Sequence, residues 1–131
     1  MRLWRPTDQE ISGKLAAARL AVADRQYSFL RPDKVYTDLA ELNLFTDEDI
    51  QLGLAAALAE IRSKQYAGSH PPLRAYEEGI EQKELFAFCW DSDHFGRRVY
   101  LKFVDLSNEN GPGLSFMSLH VDRPSAPKRR S

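Results

Sequence analysis

Apolar side chains return every three or four positions along the first half of the chain, and every second position along the latter part. Ile11, Leu15, Ala18 and Val22 share one face of a 3.6-residue period, so residues 8–24 predict an amphipathic helix. Thr7 and Glu10 stand ahead of it with capping-box spacing, the hydroxyl placed to accept from an early amide while the carboxylate reaches back. Gly13 weakens that helix slightly. Tyr27–Leu30 reads as a short apolar connection, and Pro32 ends whatever precedes it. Tyr36–Leu42 predicts a short helix with Leu39 and Leu42 on one side. The clearest helix runs from Asp47 to about Lys64. Thr46 is its N-cap, Asp47, Glu48 and Asp49 put negative charge at the positive end of its dipole, and Ile50, Leu54, Leu58 and Ile61 form its stripe.

Gly68 and the Pro71–Pro72 pair break the period, and the remainder reads as sheet. Leu73–Glu77 is a candidate first strand. Leu85–Trp90 is a stronger one, with Phe86, Phe88 and Trp90 alternating toward a core. Turn residues at Asp91–Gly96 lead into a strand over Arg97–Leu106, and the turn-rich Asn108–Gly113 leads into Leu114–Val121, which closes a three-stranded meander. The expected fold is therefore α+β, with N-terminal helices packed on a C-terminal antiparallel β-sheet. Residues 1–122 form one domain in this reading. Residues 123–131, rich in Pro, Ser and basic side chains, have no apolar pattern and are expected to be a disordered basic tail.

Composition adds bounds to this picture. A chain of 131 residues with 43% hydrophobic and 28% charged side chains is of globular type and of a size for one domain. The formal net charge of −1 advertises no nucleic-acid partner through a global field. The charge is uneven, however: from Gly96 onward seven Lys/Arg face three acids, a local excess of +4 that can meet phosphate. A single cysteine, Cys89, excludes an intrachain disulfide and fits a reducing compartment. No apolar run approaches the roughly 18 residues of a membrane span, and Met1–Pro6 lacks the apolar core of a signal peptide. The expectation is a cytoplasmic protein with no membrane association.

Strand alternation then sorts the candidate chemistry. Val99, Leu101 and Phe103 fall on one face of their strand and Arg98, Tyr100 and Lys102 on the other. In the last strand Met117, Leu119 and Val121 share a face, leaving Phe116, Ser118 and His120 opposite. If the two strands are neighbours, one outer face collects Arg98, Tyr100, Lys102 and His120 beside an exposed Phe116. Cations can hold a phosphodiester, a histidine can move a proton near neutral pH, a tyrosine can position a hydroxyl, and an aromatic face can stack a base of single-stranded RNA. The same alternation is also that of an ordinary half-buried sheet with one wet face. His70, His94, His120 and Cys89 have no zinc-site spacing, so neither a metal nor another cofactor is expected. Cys89 beside Trp90 reads as a packing residue, and Glu77, Glu78 and Glu81 as a solvated acidic cluster.

The order of these elements resembles the MqsR family of toxins in the RelE-like superfamily, over approximately Ser12 to Asp122. The likeness rests on "YTDLAELNLFTDED" before the long helix, on "VYLKF" at Val99–Phe103, and on "MSLHVD" at Met117–Asp122. It implies a RelE-like fold and a toxin of a type II toxin–antitoxin system, a metal-independent endoribonuclease that cleaves mRNA and inhibits translation. The implied partners are single-stranded RNA and a cognate antitoxin protein that masks the basic sheet face. Carried over residue by residue, Tyr100 matches the family's strand tyrosine, and His120 stands where the family has a lysine. Lys64, in "RSKQY", matches a family lysine at the passage from helix to sheet. The family's glutamine in the preceding strand corresponds to Ala87. Tyr100, His120 and Lys64 are thereby the catalytic candidates, and Arg98, Lys102 and Phe116 the substrate-binding ones. The alternative is a non-catalytic binding module on the same fold that engages an antitoxin or another protein.

Overall fold

In the computed structural model, which describes residues 6–67, 85–106 and 113–122, three helices stack on one side of a four-stranded sheet. Helix α1 (Asp8–Ala23) starts at the expected capping box. The Thr7 hydroxyl accepts from the Glu10 amide at 3.1 Å, and Glu10 Oε1 accepts from the Thr7 amide at 2.8 Å. Helix α2 (Pro32–Glu41) begins four residues earlier than its apolar pattern suggested, because Pro32 at the first helical position is pre-set for a helix start and has no amide to leave unpaired. Helix α3 (Asp47–Glu60) carries a second reciprocal cap: the Thr46 hydroxyl accepts from the Asp49 amide at 3.0 Å, and the Asp49 carboxylate accepts from Thr46 N.

Helix α3 is shorter than expected. Ile61 leaves it with φ −73° and ψ 138°, and the chain passes into a 3-10 turn over Ser63–Gln65. Two arginines take up the carbonyls exposed there. Arg19 donates from Nε to Leu58 O and from Nη2 to Ile61 O, both at 2.8 Å, and Arg62 Nη1 donates to Ala59 O at 3.0 Å. Cations at a helix C-terminus complement its dipole as well as its unsatisfied acceptors. Lys64 therefore sits on the turn and not at the helix end.

The sheet is mixed, where an all-antiparallel one was expected. Strands β2 (Leu85–Ser92), β3 (Arg97–Asp105) and β4 (Leu114–Val121) form the predicted meander, and a fourth strand joins on the far side of β4 to give the order β1-β4-β3-β2. That strand, β1 (Ser28–Phe29), lies in the stretch that reads as a connection, and it pairs with β4 in parallel, Ser28 with Ser115 and Phe29 with Phe116. The Leu30 amide extends the pairing by donating to Phe116 O at 3.1 Å. Tyr66 adds an isolated bridge to Phe88 on the opposite edge. The candidate strand Leu73–Glu77, the acidic cluster Glu77, Glu78 and Glu81, His70, and the tail 123–131 lie outside the described residues.

The main core lies between helices and sheet. Phe86, Phe88 and Trp90 of β2, Val99, Leu101 and Phe103 of β3, and Phe116 and Leu119 of β4 meet Ile11, Leu15, Leu39, Leu54 and Leu58 from the helices. A smaller cluster of Leu85, Val104 and Met117, with Leu30 and Leu106 against it, occupies the other face near one end of the strands. That second cluster makes the outer face apolar at one end and polar at the other.

Candidate functional site

Strands β3 and β4 are neighbours, so the juxtaposition that alternation required does exist. Tyr100 pairs directly with His120, Lys102 with Ser118, and on the other side Tyr100 pairs with Cys89 and Arg98 with Asp91. Directly opposed residues bring their side chains together on one face. The Tyr100 and His120 rings are stacked, with centroids 5.2 Å apart and planes inclined by 23°.

One residue of the expected set is not there. Phe116 is fully buried, at 0% exposure, between Tyr27, Phe29 and Phe103 in the main core. A β-bulge is the reason. Lys102 pairs with Ser118 but Phe103 pairs with Phe116, so Met117 is an extra residue in β4 and the alternation changes phase across it. His120 and Ser118 keep the outer face, Phe116 turns to the core, and Met117 joins Leu85 and Val104 instead of the core side expected for it. Phe116 therefore has no part in stacking a base.

The imidazole of His120 is held by its neighbour's backbone. Nδ1 lies 2.8 Å from Val121 O, and since a carbonyl oxygen only accepts, Nδ1 carries the proton. In the neutral ring Nε2 is then the nitrogen with the lone pair. Tyr100 is half-buried, and burial raises its pKa first, followed by the negative charge available at Cys89 and Asp122. Its phenol is thus a lasting hydrogen-bond donor.

Lys64 and Arg98 are joined by an open pocket of about 390 Å³ at the outer edge of β2, lined also by Gln65, Tyr66, Cys89 and Asp91. Lys64 is exposed. It precedes Tyr66, which bridges to Phe88 on the free edge of β2, whereas β4 lies on the other side of β3. Lys64 and His120 therefore flank the Tyr100 position from opposite sides. Arg98 is engaged on both sides: Nη1 lies 3.4 Å from Asp91 Oδ1 and Nε 3.4 Å from Asp122 Oδ2. Its pKa is raised by the charge a Cys89 thiolate would carry and by the bond to Asp91. Cys89 is itself pushed up by burial and by Asp122, which keeps it a thiol, in accord with a packing role. Ala87 and Ser118, on either side of Lys102, are buried.

The carboxylates around Arg98 and a third one, Glu60, were not found by sequence reasoning. Glu60 Oε1 accepts from Trp90 Nε1 at 2.9 Å and from Ser92 Oγ at 2.6 Å, and Oε2 accepts from the His94 amide at 2.8 Å. Burial alone would raise the Glu60 pKa, but the bonds from Ser92, Trp90 and the turn amides outweigh it and lower the pKa. This carboxylate ties the β2–β3 turn to the end of α3. Acids at turns and helix ends are common, and nothing in their spacing marks these three.

Among the described residues, no group of three or more His, Cys, Asp or Glu could hold a metal ion, and no helix is long and apolar enough to cross a membrane. Comparison of the chain with protein-family models, with curated proteins and with solved structures finds no match.

Proposed function

We propose that the face bearing Tyr100 and His120 is the cleavage centre of an endoribonuclease, a toxin resembling the MqsR family with a RelE-like fold. The observation that carries this reading is the stacked Tyr100–His120 pair, with His120 Nδ1 tied to Val121 O. His120 Nε2 takes the proton of an RNA 2′-hydroxyl. The 2′-oxygen attacks the adjacent phosphorus, the bond to the 5′-oxygen breaks, that oxygen takes a proton from water, and His120 returns its own proton to the solvent. The products are a 2′,3′-cyclic phosphate and a 5′-hydroxyl. Tyr100, kept as a phenol, donates to the phosphate or to the attacking oxygen. Lys64, Arg98 and Lys102 supply positive charge where the phosphoryl oxygens gain negative charge. The chemistry runs on side chains alone, the substrate is single-stranded mRNA in the cytoplasm, and a cognate antitoxin covers the face between uses.

The test is cleavage of a defined mRNA by the purified protein in the presence of a chelator, beside a Tyr100→Phe/His120→Ala double variant. Cleavage by the parent and none by the variant supports the reading. Cleavage by neither sinks it.

A second reading has its own support. Arg98 is shared between Asp91 and Asp122, and the position matching the family's glutamine is the buried Ala87. A non-catalytic module that engages an antitoxin or other protein through this face accommodates both. Growth arrest that survives loss of the Tyr100 and His120 side chains favours that module over the nuclease.

A further inference from the structure

The carbonyl that holds the His120 ring belongs to the same peptide group as the Asp122 amide. That group is planar and trans, so its N–H and C=O point in opposite directions and neither turns without the other. The amide is already committed. Asp122 N donates to Arg98 O at 2.9 Å, one rung beyond the pairing of Val99 with Val121. On the far side of the same plane Val121 O lies 2.8 Å from His120 Nδ1. Two hydrogen bonds in series therefore run from the backbone of β3, through one peptide group at the end of β4, to the imidazole. Donation from the N–H also polarises the C=O and makes it a better acceptor.

The tautomer of a neutral histidine is decided by the bonds its nitrogens make, and a carbonyl can only accept. His120 stands one residue before the end of β4, where a strand ordinarily frays. A last peptide group free to rotate would take Val121 O away from Nδ1 and release the ring. Asp122 makes two ties to Arg98 that resist this rotation, and they are unequal. Its carboxylate is 3.4 Å from Arg98 Nε, on a side chain that is half exposed, so water screens the pair. The amide bond is shorter and belongs to the ladder between β3 and β4. The amide is the stronger tie.

We infer that Asp122 is a positioning residue, whose amide, held by Arg98 O, aims the Val121 carbonyl that keeps His120 in its Nδ1–H form. Its use in catalysis rests on the cleavage reading above, but its test reads the ring itself and needs no RNA. Long-range proton–nitrogen correlation spectra of the full chain at about pH 8, above the ordinary titration of imidazole, show which ring nitrogen is protonated. A His120→Gln spectrum assigns the signal. The parent ring is expected in the Nδ1–H form. Asp122→Pro removes the amide hydrogen and is expected to lower the ratio of Nδ1–H to Nε2–H about two- to tenfold, the shift that one net hydrogen bond makes. Asp122→Ala keeps the amide and loses only the carboxylate, so its ratio is expected within about twofold of the parent's. In RNA cleavage the proline variant is expected to lose kcat by the same factor with KM unchanged, which separates positioning from binding. Should proline disturb the sheet, seen as a lowered circular-dichroism melt, hydrogen exchange of the parent decides. The Asp122 amide is then expected to exchange at least about tenfold more slowly than an open amide. A parent ring in the Nε2–H form overturns the proposal, as does an unprotected Asp122 amide. So does a folded proline variant with the parent's ratio, or an alanine variant that loses the ratio as proline does.

Discussion

Tyr100 and His120 oppose one another across β3 and β4 with their rings 5.2 Å apart, although twenty positions separate them in the chain. His120 is held by Val121 O and Tyr100 has a raised pKa, so in the proposed reaction His120 takes the proton and Tyr100 stays a donor. Replacing His120 with Ala is expected to lower the RNA cleavage rate about 10²- to 10⁴-fold, the usual contribution of a positioned base. Tyr100→Phe is expected to cost less. Tyrosinate absorbance should show Tyr100 ionising above the ordinary value of 10.0, as the difference between the parent and Tyr100→Phe titrations.

Phe116→Ala separates packing from recognition. A fully buried phenylalanine truncated to alanine costs about 3–5 kcal/mol. Urea unfolding should register that loss directly. An unchanged midpoint with weakened RNA binding would contradict the burial created by the bulge.

Glu60→Gln tests the clasp between α3 and the β2–β3 turn. The folded pKa of Glu60 lies below the ordinary 4.5, so its contribution is present above the unfolded value and is lost as pH falls through the folded one. At pH 7 the variant should be less stable by about 2 kcal/mol, the scale of hydrogen bonds to a charged group. Denaturation curves of parent and variant should converge as pH falls through the lowered folded pKa. A gap that persists in acid would mean that the charge is not what holds the turn.

Arg98 should bind phosphate better once released. Asp91→Asn/Asp122→Asn removes both carboxylates that share it, and single-stranded RNA affinity is expected to rise a few-fold, the small change that exposed, solvent-screened ion pairs allow. Fluorescence anisotropy at two salt concentrations would read the change and confirm its electrostatic origin.

Two glycines should respond in opposite directions. A Cβ at Gly13 meets nothing within 4 Å, so Gly13→Ala is expected to raise stability by about 0.5–1 kcal/mol through helix propensity. At Gly53 the added Cβ would lie 2.7 Å from Leu44 Cδ1, and Leu44 must move out of a packed position. Thermal melts should rank Gly13→Ala above the parent and Gly53→Ala below it.

Local signals in the sequence carried most of the fold. Thr7 with Glu10 forms the cap that its spacing announces, Thr46 is the N-cap of α3 as expected, and Phe86, Phe88 and Trp90 alternate into the core. Tyr100 and His120 came together because each strand holds a strict two-residue period on their side of the bulge. Three features were hidden for one reason: each depends on a partner distant in sequence. β1 is two residues long and becomes a strand only against Ser115 and Phe116. Met117 reads as an ordinary alternating position until β3 is laid beside it. Asp91 and Asp122 belong to Arg98 only once three strands are in register.

The parallel pairing of β1 with β4 also constrains how the chain can fold as it is made. Residues 28 and 29 leave the ribosome long before residues 115 and 116, which complete their side of the sheet. Until then Phe29 and Tyr27 lack the Phe116 ring that they pack against. The helical half can form its caps early, but the sheet that seats it closes only with the last strand. Folding of this domain therefore waits in its decisive step for residues 114–121, and a chain halted before residue 114 would leave α2 and β1 without the strand they pack on.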